Sequence, residues 1–329
     1  MEEMPEEIER NLALELVRVT EAAALAAGLW LGRGDKNGAD GAAVHAMRRA
    51  LARIEMDGVV VIGEGEKDAA PMLYVDEVIG NGRPPKVDIA VDPVDGTRLL
   101  ALGMPGAIAV VALAARGTMY SAPPGVYYMQ KIAVGQGAAG TIDINKSVAE
   151  NISAVSKALG REDGNITVMV LDRPRHEELV KEIRATGARV RFIVDGDVAA
   201  AIAAADDNTG VDMLLGIGGA PEAVVAACAL KAMGGDMQCK LYFRDDSERQ
   251  AAHDADVDPE TVYKIDDLVK SDDVFFAATG ITDGELLRGV RYGAHQATTD
   301  SVVMRAKSRT IRYVTAVHHG EKLSNIVES

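Results

Sequence analysis

The stretch that most restricts the fold is Val87-Asp88-Ile89-Ala90-Val91-Asp92-Pro93-Val94-Asp95-Gly96-Thr97. Its apolar run predicts a buried strand. Pro93 has no N–H to give to a central ladder, so the chain is expected to leave the sheet there. Gly96 permits a tight turn. A strand that ends in carboxylates and a hydroxyl has two readings. It is an Asx-type turn, since Asp, Pro and Gly are all turn residues, or it is a place where Asp92 and Asp95 converge on a hard cation with Thr97 beside them.

A similar stretch lies upstream. Residues 59–62 predict a short buried strand that runs into Gly63-Glu64-Gly65-Glu66-Lys67-Asp68. Alone this is a solvated acidic turn. Two neighbouring strand ends that both deliver acids can build one metal site, because crowded carboxylates need cations to stay ionised. The chain before it predicts a helix over residues 6–31 and another over 42–53. Asp40 stands just ahead of the second, either as a helix N-cap or as a carboxylate presented to a site.

Composition narrows the partners. The chain has 329 residues, 48% hydrophobic, with a formal net charge of −15. A globular chain this acidic argues against nucleic acid and anionic membranes as partners. An anionic substrate would then need locally placed cations. Cys228 and Cys239 form no disulfide framework or zinc pattern, so a cytoplasmic setting is expected. Residues 1–10 are acidic and contain Pro5, unlike a targeting peptide. No apolar run approaches the roughly 18 residues of a membrane span.

From residue 165 the pattern becomes strand–helix alternation: strands over 167–171, 190–194 and 211–215, helices over 176–185, 198–205 and 223–233. This predicts a mainly parallel sheet, with ligands beyond the carboxyl ends of its strands. Arg173-Pro174-Arg175 follows the first strand, as a surface turn or as a phosphate anchor. Asp195-Gly196-Asp197 follows the second, as a helix start or as acceptors for sugar hydroxyls. Gly216 to Glu222 is expected as a loop in which Gly219 lets backbone approach a ligand, although Pro221 and Glu222 also suit an ordinary first helical turn. Tyr128, in a strand predicted over 126–134, is a weaker ligand candidate beside Tyr127. Gly135-Gln136-Gly137-Ala138-Ala139-Gly140 has the spacing of a dinucleotide loop, but a strand expected over 141–144 stands where the helix should be. Residues 244–262 read as an exposed insertion. Residues 298–315 read as closing antiparallel strands carrying Lys307, Arg309 and Arg312. The chain is divided at 164/165 into a mixed-sheet half, 1–164, and an α/β half, 165–329.

The ordered set Gly32-Arg33-Gly34-Asp35-Lys36, Ala39-Asp40-Gly41, Ile62-Gly63-Glu64-Gly65-Glu66, Asp92-Pro93-Val94-Asp95-Gly96-Thr97, Asp195-Gly196-Asp197 and Gly218-Gly219-Ala220-Pro221-Glu222 resembles class II fructose-1,6-bisphosphatases of the bacterial glycerol-regulon type. Lys307-Ser308-Arg309-Thr310-Ile311-Arg312 also fits. The wider resemblance is to lithium-sensitive, metal-dependent sugar and inositol phosphatases. It implies a layered αβαβα sugar-phosphatase fold and hydrolysis of the 1-phosphate of fructose 1,6-bisphosphate in gluconeogenesis. It also implies Mn²⁺ or Mg²⁺ held by Asp40, Glu64, Asp92, Asp95 and Glu222. Substrate contacts would come from Asp95, Gly96, Thr97, Tyr128, Arg173, Pro174, Arg175, Asp195, Gly196, Asp197 and Gly219. Thr97 is expected to orient the attacking water, with Asp68, or else Asp40, as its acidic partner. A homodimer or homotetramer is expected. The alternatives are a sedoheptulose-1,7-bisphosphatase or dual-specificity enzyme, an inositol monophosphatase, and a non-catalytic sugar-phosphate-binding regulator.

Overall fold

Small and apolar side chains explain why the first helix, α1 (Leu12–Gly28), is buried on almost every side. Ala22 and Ala26 let it close against Ala46 of α2 (Lys36–Leu51). The Thr20 hydroxyl joins a buried chain through Thr279 and Ser301, each link 2.7 Å. That chain fixes α1 on the sheet beneath it without leaving a buried hydroxyl unpaired. The computed structural model describes residues 8, 11–64 and 72–320. The chain forms two compact units, Met1–Met119 with Ser271–Ser329, and Tyr120–Lys270.

The first unit carries β1 (Asp57–Ile62), β2 (Val78–Ile79), β3 (Lys86–Asp95) and β4 (Ile108–Ala115), with the short helix α3 (Thr97–Leu102) after β3. Strand numbering is in chain order, and this unit also holds β11 (Phe275–Gly280), β12 (Arg291–Tyr292), β13 (Gln296–Arg305) and β14 (Thr310–His319). The sheet runs β12-β13-β11-β4-β3-β1-β2, with β14 on β13. Among the described strands of this sheet only the β1–β3 pairing is parallel. The closing strands therefore return to the first unit, and the compact units differ from the division drawn at 164/165: β11 pairs with β4. Pro93 does not end β3. The register with β4 jumps between Asp92 and Asp95, so the proline sits in an irregularity that needs no ladder N–H there, and the strand continues to Asp95. Gly96, at φ 93°, then makes the turn into α3. Asp40 is not an N-cap. Asp35 is, its carboxylate accepting from the Gly38 N–H at 2.9 Å, and α2 begins earlier than the sequence pattern indicated.

The second unit holds β5 (Tyr128–Val134), α4 (Val148–Ala158), β6 (Thr167–Leu171), α5 (Glu177–Ala185), β7 (Arg189–Ile193), α6 (Asp197–Ala203), β8 (Met213–Gly219), α7 (Ala220–Met233), β9 (Asp236–Tyr242), α8 (Asp246–Asp254), β10 (Tyr263–Lys264) and α9 (Ile265–Leu268). Its sheet, in the order β10-β9-β5-β8-β6-β7, is mixed rather than mainly parallel. The helical crossovers do make β7, β6 and β8 parallel. But β5, from upstream of the alternating pattern, inserts between β8 and β9 and runs antiparallel to both. Residues 216–219 are strand rather than loop, and pair with residues 128–131. No strand forms over 141–144, and the supposed insertion contains α8, capped by the Asp245 carboxylate. Among the described residues no helix is long and apolar enough to cross a membrane.

The two acids near the start of α2 should separate cleanly. Asp35→Ala is expected to cost about 1 kcal/mol of stability through loss of the cap. Asp40→Asn should leave the urea midpoint nearly unchanged while activity falls. A lower midpoint for Asp40→Asn than for Asp35→Ala would show that Asp40 supports the helix instead.

Candidate active site

Strands β1 and β3 are parallel neighbours, with Ile62 opposite Ala90, so their acidic ends emerge on the same side of the sheet. Glu64 follows β1 and is exposed, its N–H donating to the Leu73 carbonyl at 2.8 Å. Asp92 accepts from the Val94 N–H at 3.0 Å, an Asx turn of the kind expected for the alternative reading. Here the turn also orients the carboxylate. Asp95 is buried across from Ile108. Thr97 begins α3, and its hydroxyl lies 2.9 Å from an Asp40 oxygen and 3.1 Å from the Val94 carbonyl. The contact between Thr97 and Asp40 brings α2 to the strand ends. Asp68 lies outside the described residues.

These side chains offer hard oxygen donors and no imidazole or thiolate, a donor set that suits a hard divalent cation. Among the described residues no group of three or more His, Cys, Asp or Glu side chains stands close enough together to hold a metal ion.

In the second unit, three glycines of β8 each leave room for a side chain. A Cβ on Gly216 would stand 3.2 Å from the His176 ring, one on Gly218 would collide with Asp197, and one on Gly219 would collide with Glu222. Asp197, at the start of α6, accepts from buried Lys131 of β5 at 2.6 Å. Its other oxygen, Oδ1, is buried and has no hydrogen-bond partner, so it is an acceptor still to be satisfied. Burial would lower the Lys131 ammonium, but the charges of Asp197 and Glu222 outweigh it and hold it above its ordinary value. Glu222, in the first turn of α7, is raised by burial and then by Asp197, against the pull of Lys131. Gly196 precedes Asp197 with φ 77°, a backbone state that favours glycine.

The two candidate arginines have different surroundings. Arg173 pairs with Asp195 at 2.9 Å and donates to the Val194 and Asp172 carbonyls. It ties the loop after β6 to the loop after β7. Pro174 begins the single 3₁₀ turn that follows. Arg175 donates to the Ile217 carbonyl through Nε and Nη2, at 3.2 and 2.7 Å, and stands 5.3 Å above the Tyr128 ring. Arg244 lies 5.2 Å from the same ring and 5.1 Å from Tyr127. Two guanidiniums thus share Tyr128.

Lys131, His176 and Arg244 were missed in the sequence. Lys131 did leave a signal, a lone charge at an inward position of an apolar strand. His176 and Arg244 left none, because the Ile217 peptide that His176 meets and the Tyr127 and Tyr128 rings that Arg244 meets are distant in sequence. His176 is buried, donating from Nδ1 to the Leu171 carbonyl at 2.7 Å and accepting the Ile217 N–H on Nε2 at 2.8 Å. That arrangement requires the neutral ring, and burial, the leading cause, lowers its pKa. The Ile217 peptide therefore carries His176 on its N–H and Arg175 on its carbonyl. Cys228 and Cys239 are free and buried, each thiol pushed up to about 12 by burial, so neither is poised as a nucleophile.

Because the folded His176 resists protonation, the unfolded chain binds a proton more readily below the ordinary imidazole value of about 6.5. The stabilisation is full above that pH and is lost as pH falls through the lower, folded value. Urea midpoints of the parent chain should drop more between pH 7 and 5 than those of His176→Gln. Identical slopes would mean that His176 does not contribute.

Comparison with known proteins gives the family. Residues 10–318 match the family model described as bacterial fructose-1,6-bisphosphatase, glpX-encoded. The chain is 46% identical over 323 residues to fructose-1,6-bisphosphatase 1 class 2 of Escherichia coli (strain K12), covering 94% of this chain and 96% of that protein. The same figures hold for fructose-1,6-bisphosphatase class 2 of Shigella flexneri. A match from near the start of α1 to the end of β14 leaves neither unit outside it, and the chain belongs to the family of class II, glpX-type fructose-1,6-bisphosphatases.

Proposed function

We infer that the chain is a class II fructose-1,6-bisphosphatase, a phosphoric monoester hydrolase that converts fructose 1,6-bisphosphate to fructose 6-phosphate and phosphate in gluconeogenesis. The observation that carries this is the Thr97–Asp40 contact at 2.9 Å, beside strand-end carboxylates in a chain that matches the family over residues 10–318. Asp40, Glu64, Asp92, Asp95 and Glu222 are the oxygen ligands in this proposal. A hard divalent cation, Mn²⁺ or Mg²⁺, supplies charge neutralisation and a lowered pKa for water when bound.

The chain's own groups do the positioning. A hydroxyl has one proton. With that proton directed at Asp40, Thr97 Oγ1 presents lone pairs and orients a water by accepting from it. The water's proton then has a short route through Oγ1 to Asp40. Asp68 is the second candidate to receive it. Arg175, held by Ile217 and stacked on Tyr128, anchors the phosphate that is not cleaved, and binding energy there aligns the reacting phosphate. Arg173, Asp195 and Pro174 shape that loop. Asp197 Oδ1 and the Gly196 and Gly219 backbone are placed for sugar hydroxyls. A cytoplasmic enzyme fits the two free cysteines, and a homodimer or homotetramer completes the proposal.

Thr97→Ala should lower kcat by about 10²–10⁴-fold with the fold intact by circular dichroism. Normal turnover would remove Thr97 from the chemistry. Arg175→Ala should raise KM for fructose 1,6-bisphosphate more than for a sugar monophosphate. A panel including sedoheptulose 1,7-bisphosphate, run against Mn²⁺ and Mg²⁺ titrations, sets substrate and metal preference.

A further inference from the structure

We propose that His176 is the positioning residue of the phosphate anchor: through the peptide of Ile217 it sets where the Arg175 guanidinium stands, and so governs how strongly the phosphate that is not cleaved is held. The substrate in this proposal rests on the bisphosphatase reading, and the role of His176 rests on the geometry of β8. That strand pairs with β5 along its full length, from Met213 to Gly219, but with β6 only at Met213 and Leu214. Peptide groups on an unpaired strand flank need partners. At Ile217 two side chains from the turn after β6 take the place of a strand. His176 Nε2 accepts the Ile217 N–H at 2.8 Å, and Arg175 Nε and Nη2 donate to the Ile217 carbonyl at 3.2 and 2.7 Å.

The ring of His176 is held on its other sides as well. Its Nδ1–H donates to the carbonyl of Leu171, the last residue of β6, at 2.7 Å. Its backbone N–H donates to the Arg173 carbonyl at 2.9 Å, which winds Arg173, Pro174 and Arg175 into one tight turn. Gly216, at φ 148°, lets the ring lie against the strand, since a Cβ there would stand 3.2 Å from both Cε1 and Nε2. His176 is 2% exposed, whereas Arg175 is exposed. A buried ring thus reaches an exposed cation through a single peptide unit.

That unit is planar and rigid. Holding its N–H aims its carbonyl, and a peptide engaged at the N–H is also a stronger acceptor. A guanidinium fixed along its Nε–Nη2 edge has the direction of its other edge fixed with it. The Tyr128 ring, 5.3 Å away, limits Arg175 on its face. Without an acceptor at the Nε2 position the Ile217 peptide loses its fixed direction, and Arg175 loses its own. The effect falls on the anchored phosphate and not on the reacting one.

Two conservative replacements separate this role from a purely structural one. Asn keeps a donor near the Nδ1 position for Leu171 but stops short of Ile217, whereas Gln brings an amide oxygen near the Nε2 position. The probes are fructose 6-phosphate, which retains the anchored phosphate, by calorimetry, and fructose 1,6-bisphosphate against fructose 1-phosphate by turnover. His176→Asn should weaken fructose 6-phosphate binding and raise KM for the bisphosphate by about fivefold, with KM for fructose 1-phosphate unchanged within about twofold. His176→Gln should stay near the parent. In an Arg175→Ala background His176→Asn should add nothing, because the two residues act as one unit. Equal losses with Asn and Gln, or additive losses in the double variant, would overturn the proposal. Should His176→Asn fail to fold, the parent chain carries the test by NMR. The ¹⁵N resonance of His176 Nε2 should move on saturation with fructose 6-phosphate in the parent and not in Arg175→Ala, and a resonance that stays put in the parent overturns the role. A parent chain that shows the Asn–Gln difference in fructose 6-phosphate binding, yet hydrolyses no bisphosphate, supports the role of His176 and ends only the bisphosphatase reading.

Discussion

Carboxylates brought close together repel, and each must be given a donor or it takes up a proton. This constraint governs both units. Asp92 receives the Val94 N–H, Asp40 the Thr97 hydroxyl, Asp195 the Arg173 guanidinium and Asp197 the Lys131 ammonium. None of these contacts satisfies every lone pair of an ionised carboxylate, which offers about four. At Asp197 the buried Oδ1 has no hydrogen-bond partner. Lys131 shows what the arrangement costs. A buried pair repays its desolvation only when geometry and further hydrogen bonds are good, so an ammonium placed under an incompletely satisfied carboxylate is more readily explained by binding than by stability.

Backbone shape makes room for these groups. In the first unit, the irregularity at Pro93 interrupts the β3–β4 ladder between Asp92 and Asp95. A regular strand would alternate these residues strictly, and the turn that orients Asp92 would not form. In the second unit, the room comes from missing Cβ atoms. Gly216, Gly218 and Gly219 remain in register with β5, so the sheet is not broken. The side chains of His176, Asp197 and Glu222 occupy the space above them. Glycine weakens a strand, and here the loss is offset by β5 and β6, which flank β8 within a sheet of six strands.

What could be read in the sequence was local. Strands over 59–62, 87–92 and 167–171 and the acids at two strand ends all follow from short-range pattern, and all are present. What could not be read depended on partners far along the chain. The insertion of β5 between β8 and β9 makes the sheet mixed, and strand–helix alternation says nothing about a strand that precedes it. The glycines of β8 resembled a loop because their purpose lies in side chains from α6, α7 and the turn before α5. Arg173 and Arg175 looked equivalent. They differ because one meets Asp195 and the other meets Ile217 and Tyr128. Asp40 was ambiguous until Asp35 proved to be the cap.

Acids stand where β1 and β3 end, in a chain with a net charge of −15. Charge of one sign at that place is answered locally, by the Val94 N–H at Asp92 and by the Thr97 hydroxyl at Asp40. Both donors follow from one backbone feature. The register jump between Asp92 and Asp95 leaves Val94 out of the β3–β4 pairing, so its N–H is available to the Asp92 carboxylate. The turn at Gly96 then starts α3 at Thr97, whose hydroxyl meets Asp40 of α2. A regular strand through Pro93 would give neither contact.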